Sequence, residues 1–459
     1  MRRRDLMLSG AAGAALLTHA RPAWSAWGDA PEEAKSLLLP TGVKAERCLE
    51  IFLYGGLSPF ESFYCVPEYG TSSDREYSNQ QWHCFAEDHA NVFGGRSGVD
   101  PDAYLSPWRA DAAGMTVNLG PLVMPFRNRP DILDRMRVVV LSHDLERHET
   151  AIPYSLAGTR LGNPRMAGTG AHIMRYFQER DTTGRVIPYS VVLTPDGAFF
   201  TDNLQAADAA GLHPGCARPL RIQVGDTFAL RDRLARSPVG DSRGDIDALA
   251  EAFKPDGLAP SFGSALGEST SDVTGMSIQA AVQLLKHAIA PARYVQVVDG
   301  GLISADGGGA FDSHLSHLAT QARNCTHTLA QLADRINAPG EGDPAKLDLD
   351  DTVIYLASEF GRTPYRQGPE GTGHHPYGYV GVLIGGPIGP DQAGIVGAIG
   401  PDGRAIASVN PAEMRVALLA AMGIYPFAHE SFAVGDVRGA TSEAEALAWA
   451  TEAILGRAS

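Results

Sequence analysis

Thr352-Val353-Ile354-Tyr355-Leu356-Ala357, followed at once by Ser358-Glu359-Phe360-Gly361-Arg362-Thr363-Pro364, is the stretch that decides the fold. A near-continuous apolar run of about 5–8 residues, closed by polar and glycine positions, reads as a strand buried on both faces. The same pattern recurs at Cys48–Tyr54, Met136–Leu141, Tyr189–Leu193, Tyr294–Val298 and Tyr379–Ile384. Between these runs, Thr169–Glu179, Gly275–Ile289, Leu315–Ile336 and Pro411–Ala421 space their apolar residues by three and four, as helices do. Strands alternating with helices predict an α/β fold: a three-layer α/β/α sandwich with a mostly parallel central sheet.

Composition sets the wider frame. The 459 residues are 44% hydrophobic and 20% charged, enough for a sizeable core and unlike a disordered chain. The formal charge is −15, and the 38 basic residues are scattered among 53 acidic ones, so no basic stripe exists to hold nucleic acid. Residues 1–26 carry Arg2-Arg3-Arg4, an apolar run from Leu6 to Leu17, and small residues around Ala20 and Ala26. That layout reads as a signal peptide of the twin-arginine type, transiently engaging that export machinery, with an ordinary secretory signal as the alternative. The signal holds four arginines and one aspartate, a net +3, so the charge without it becomes −18. The apolar run is shorter than the roughly 20 residues a spanning helix needs, so no permanent membrane anchor is expected and the location is periplasmic or secreted. Residues 27–459 read as one domain, with a loose insertion near 232–272 rich in Asp, Gly, Ser, Pro and Arg. The five cysteines lack Cys-x-x-Cys spacing; Cys65 and Cys84 flank a polar loop and could bridge in an oxidising compartment.

In open α/β sheets ligands gather at the carboxyl ends of strands, so the residues following each strand matter most. Cys48–Tyr54 is followed by Gly55-Gly56-Leu57-Ser58-Pro59-Phe60-Glu61, and Met136–Leu141 by Ser142-His143-Asp144 and His148-Glu149-Thr150. Tyr294–Val298 leads to Asp299, Gly307-Gly308-Gly309 and Phe311-Asp312-Ser313-His314, with His317 beyond; Thr352–Ala357 leads to Glu359, Arg362 and Gly373-His374-His375-Pro376. Imidazole with carboxylate suits a divalent transition metal, zinc or manganese foremost, which could activate water and neutralise an anionic substrate. Arg362 is a candidate fork for phosphate or sulfate oxygens. Each piece has a plainer reading: Asp312 as the N-cap of the following helix, Glu359 as a buried acid paired with Arg362, His143, His148, His374 and His375 as ordinary polar residues. Their coincidence at strand ends favours a site. No Gly-x-Ser-x-Gly elbow, dinucleotide fingerprint or Walker loop is present.

Leu53-Tyr54-Gly55-Gly56-Leu57-Ser58, the His148 segment ending in Ala157-Gly158, Phe311-Asp312-Ser313-His314, Ser358-Glu359-Phe360-Gly361-Arg362-Thr363-Pro364 and Gly373-His374-His375-Pro376 together resemble a bacterial secreted family of unknown function, numbered fifteen-oh-one. That family is similar in fold to the alkaline phosphatase and sulfatase superfamily. The resemblance implies that superfamily's sandwich, a metal site at the sheet's carboxyl edge, and hydrolysis of phosphate or sulfate esters of an anionic small molecule or glycan. Of the expected ligands, His375 carries over from the superfamily's pattern; Asp312, His314 and Glu359 join it as the leading ones on their places at the strand ends, with His374 and Glu61 as further ones. His148 stands where the superfamily's hydroxyl nucleophile would open a helix, with Thr150 the nearest hydroxyl. Gly56 stands where the superfamily carries an aspartate and Glu359-Phe360 where it carries an Asp-His pair; these replacements and the missing hydroxyl leave a second expectation, an exported binding or assembly protein that keeps the fold without catalysis.

Overall fold

The computed structural model describes residues 28–70, 81–94, 100–163, 167–178, 180, 190–193, 220–223, 273–287, 291–302, 310–368, 371–427 and 432–457. The signal segment 1–26, Cys216, the 232–272 insertion and Gly307–Gly309 lie outside these residues. The strands in chain order are β1 (Arg47–Leu53), β2 (Ser106–Ala110), β3 (Thr116–Leu119), β4 (Met136–Leu141), β5 (Ser190–Leu193), β6 (Leu220–Gln223) and β7 (Tyr294–Asp299). They continue with β8 (Thr352–Ala357), β9 (Gly361–Arg362), β10 (His374–His375), β11 (Tyr379–Gly385), β12 (Gly394–Val396), β13 (Ala398–Ile399) and β14 (Ala405–Ala407).

Eight of them form one sheet in the order β12-β4-β11-β8-β1-β7-β5-β6. β8, β1, β7, β5 and β6 pair in parallel, as do β4 and β12. β11 alone is reversed, antiparallel to both β8 and β4. Its first residue, Tyr379, pairs with Leu141, the last of β4, so β11 starts at the edge where its neighbours end. The segment leading into it, with His374 and His375, is thereby delivered to the carboxyl edge.

The unbroken apolar runs are explained by burial: every residue of β7, β8 and β11 is buried, and Ile51, Val297, Ile354 and Leu383 are fully enclosed. Burying each such side chain contributes about 1.5–3 kcal/mol, which fixes strand order more firmly than any local propensity. Helices cover the two faces: α1 (His148–Ala157), α2 (Thr169–Gln178), α3 (Val273–Leu285), α4 (His317–Asp334) and α5 (Pro411–Ala421). α3 packs on α4 and on β7 and β1, while α5 packs on α1 and α2. α5 starts where the sequence says it should, because Asn410 and Glu413 cap each other's backbone N–H groups with Pro411 at the first helical position. Its Arg415, fully buried, forks onto Glu50 of β1 at 2.6 and 2.7 Å and donates to the Ser155 carbonyl at 2.6 Å. Tyr294 adds a third donor to Glu50 at 2.6 Å. This ion pair ties the central strand to the helical layer.

Cys65 and Cys84 are separate buried thiols, not joined in a disulfide. No helix among the described residues is long and apolar enough to cross a membrane.

Candidate metal centre

The site grows from the turn after β1. Gly55 holds a φ of +104°, open to glycine and strained for any other residue, and a Cβ there would lie 2.2 Å from the Asp312 backbone nitrogen. That close approach sets the Asp312 backbone against the turn after β1. Gly55 then joins two further elements: its N–H donates to Glu359 Oε1 at 2.8 Å and its carbonyl accepts from Arg362 Nη1 at 3.0 Å.

Around it stand His148, the first residue of α1, Asp312, and His374 of β10. One atom from each lies within 4.8 Å of the other two, an arrangement able to hold a metal ion. His148 Nδ1–H donates to Glu359 Oε1 at 2.8 Å, which turns Nε2 toward Asp312 Oδ2 at 3.5 Å. Nε2 is buried and makes no hydrogen bond. His374 Nδ1–H donates to the Glu146 carbonyl at 2.7 Å, leaving its Nε2 3.2 Å from Asp312 Oδ1. Each imidazole is therefore oriented through Nδ1 and turns its Nε2 to Asp312, the arrangement metal-binding histidines use. Tyr54 stacks on His148 at 5.2 Å and Phe360 on His374 at 4.3 Å, fixing both rings. His314, half-exposed at the mouth, brings Nε2 to 3.1 Å from Asp312 Oδ1 and 3.2 Å from His374 Nε2.

Electrostatics follow from this crowding. Burial works to raise the Asp312 carboxyl, but the His148, His314 and His374 imidazoles beside it and the Arg362 charge hold it well below the usual carboxylate range. Burial pulls His148 down, yet the carboxylates of Asp312 and Glu359 on either side push it up to about 10 in the metal-free protein. His143 goes the other way, lowered to about 4 chiefly by burial. It stays neutral, donating from Nε2 to the Glu359 carbonyl at 2.7 Å and accepting from the Leu145 N–H at 3.0 Å.

The sequence-predicted residues thus divide. Asp312, His314, His374 and His148 come together, and Asp312 is not a helix cap, since α4 starts after Ser316. Glu359 sits behind His148, its oxygens occupied by Gly55, His148 and Ser358, so it orients the His148 ring and lies outside the three-residue cluster. His375 does not converge. β10 pairs His374 with Arg362 and His375 with Gly361, so the two histidines project to opposite sides, and His375 Nε2–H is spent on the Gly403 carbonyl at 2.8 Å. Glu61 lies elsewhere, buried with Ser58 and with His317 at 3.5 Å. Thr150 Oγ1 donates to the Arg147 carbonyl at 3.1 Å and does not face the cluster. Arg362 is no substrate fork: fully buried, it donates to Asp312, Gly55, His314 and twice to Thr372, which accounts for its five N–H groups. It is the strut that fixes Asp312. Sequence reading passed over Thr372, which has no motif, and undervalued Gly55, whose Gly-Gly doublet after a strand was the available signal.

Residues 263–447 match the family described as "Protein of unknown function (DUF1501)". No curated protein matches the chain. Among solved structures, the chain is similar to a Vibrio parahaemolyticus protein in the alkaline phosphatase superfamily (9% identity, 87% of this chain and 77% of that one, TM-score 0.35). It is also similar to the lipoteichoic acid synthase LtaP from Listeria monocytogenes (10% identity, 88% and 80%, TM-score 0.38) and to the PsFucS1 sulfatase from Pseudoalteromonas sp. (10% identity, 88% and 72%, TM-score 0.37). The DUF1501 match takes in Asp312, Glu359, Arg362 and His374 and leaves out His148.

Proposed function

We propose that this protein is an exported, metal-dependent hydrolase of phosphate or sulfate esters, acting in the periplasm or outside the cell. The observation that carries the reading is the buried, unpartnered Nε2 of His148 facing Asp312 beside His374, at the carboxyl edge of the sheet. Two imidazoles and one carboxylate fit zinc or manganese better than calcium or magnesium, and three protein donors leave room for substrate. A bound divalent ion would supply Lewis acidity for the ester's oxygens and for an attacking water.

The protein's own part is positional. Glu359 holds the His148 ring in one tautomer, and Arg362 keeps Asp312 ionised and aimed. Phe360 and Tyr54 wall the inner side with rings. The nearby hydroxyls are engaged elsewhere, Thr150 on Arg147, Ser358 on Leu53 and Thr372 with Arg362 and His317, so water is the nucleophile in this reading. His314 Nε2, at the solvent side of Asp312, is placed to hydrogen-bond the ester, and the departing alcohol takes its proton from solvent water.

The test is hydrolysis of p-nitrophenyl phosphate and sulfate by protein loaded with zinc or manganese. Turnover that collapses in Asp312→Ala and His374→Ala supports the reading; folded, metal-loaded protein inert toward both esters contradicts it. The engaged hydroxyls also favour a second reading, a binding or assembly protein without catalysis. Metal and anion binding with no turnover under zinc, manganese, calcium or magnesium would select it.

A further inference from the structure

Beside the three donors, and sharing His314 and His374 as part of its wall, lies a cleft of about 530 Å3. Its other walls include Glu146, Tyr365, Gln367, Tyr377, Asp402 and Arg404. The cleft is preformed. Gly403 has a φ of +77° and lies so close to Pro364 that a Cβ would approach it to 2.4 Å. His375 clamps the Gly403 carbonyl, and Ala405 N–H donates to the Tyr377 carbonyl at 2.8 Å. The residue expected as a ligand therefore has a role here, holding the Asp402–Arg404 turn against β10.

The chemistry of the walls is specific. Two carboxylates, the two guanidiniums of Arg147 and Arg404, and a carboxamide offer donors and acceptors in balanced sign, which suits neither an anion clamp nor an apolar slot. Aromatic surface is interleaved with them. Tyr377 donates its hydroxyl to Glu146 Oε1 at 2.6 Å beneath the Arg404 guanidinium, which lies 4.2 Å from its ring centre, and Tyr365 is 40% exposed. An aromatic face beside hydrogen-bonding groups of both signs matches a polyhydroxylated ring, with C–H groups against the tyrosine and hydroxyls on the carboxylates and amide. We infer that the alcohol half of the ester is a carbohydrate seated in this cleft, an assignment that rests on the hydrolase reading for its catalytic meaning but not for its binding.

The experiment uses the metal-loaded full chain and saturation-transfer NMR with methyl glycosides of glucose, galactose, mannose and N-acetylglucosamine, alongside adenosine and butyl phosphate. Saturation transfer to the ring protons of at least one glycoside is expected. Tyr365→Phe should retain it, and Tyr365→Ala should weaken affinity about tenfold, equivalent to ~1.4 kcal/mol. In parallel, the ratio of kcat/KM for glucose 6-sulfate and glucose 6-phosphate over the p-nitrophenyl esters should fall about tenfold in Tyr365→Ala, with Tyr365→Phe restoring it. The inference is overturned if no glycoside receives saturation, if adenosine or butyl phosphate binds as well as every glycoside, or if Tyr365→Ala binds like the wild type. Should glycosides bind while no ester is turned over, the carbohydrate seat stands and the hydrolase reading falls.

Discussion

Replacing Gly55 by alanine tests the idea that one backbone contact sets the metal centre. The new methyl would lie 2.2 Å from the Asp312 nitrogen and 2.6 Å from its Cβ, and neither can yield as a flexible side-chain tip would. Holding a non-glycine residue at positive φ costs about 1–3 kcal/mol and overpacking about another 1–3, so a loss of ~2–6 kcal/mol is expected. Against a total stability of roughly 5–15 kcal/mol, that is readily measured by urea denaturation. Any relief must move Asp312 or the Gly55 N–H that holds Glu359, so metal affinity should fall about 10–100-fold, the range for a lost orienting contact. Gly42→Ala, where nothing lies within 4 Å, is the control and should change stability by no more than about 0.5 kcal/mol. Gly55→Ala protein with wild-type urea midpoint and metal affinity would refute the reasoning.

Glu359→Gln and Arg362→Lys should each weaken metal binding by about 10–100-fold in competition with a chromophoric chelator, since one orients His148 and the other holds Asp312. Metal affinity should decline as pH falls, because a proton competes for His148 Nε2; an affinity flat between pH 6 and 9 on titration calorimetry would count against His148 as a ligand. In the metal-free protein, His148 has a folded value of about 10 against an ordinary ~6.5, so its stabilisation is complete below the lower figure and is lost as pH rises through the upper one. Denaturation midpoints across that window will show whether it is. Arg415→Met leaves the Glu50 carboxylate buried without its cation, with Tyr294 still donating to it, and should cost about 3–5 kcal/mol, while adding Glu50→Leu should recover much of the loss; equal stability of the single and double variants would contradict this.

Strands and helices were legible because burial on both faces writes itself as unbroken apolar runs. All six expected strands are present, with Met136–Leu141 and Thr352–Ala357 matching end to end, and the four expected helices lie within a few residues of their bounds. The reversal of β11 was not legible, since Tyr379–Ile384 is apolar throughout and direction leaves no mark on composition. The site was legible as a set of loops and not as a set of ligands. In an extended pair such as His374-His375, neighbours face opposite ways, and only the pairing with Arg362 and Gly361 says which faces Asp312. Glu359 and Arg362 were placed correctly in the neighbourhood, but their roles depend on partners 200–300 residues away, Gly55 among them.

The account's central claim is that His148, Asp312 and His374 hold a metal ion. Elemental analysis of chain purified without chelator, run on the wild type, His374→Ala and His375→Ala, tests it most directly. The account predicts at least one zinc or manganese per chain in the wild type and His375→Ala, and its loss in His374→Ala with the fold retained. Folded wild-type protein without metal, or metal lost from His375→Ala and kept by His374→Ala, would contradict it.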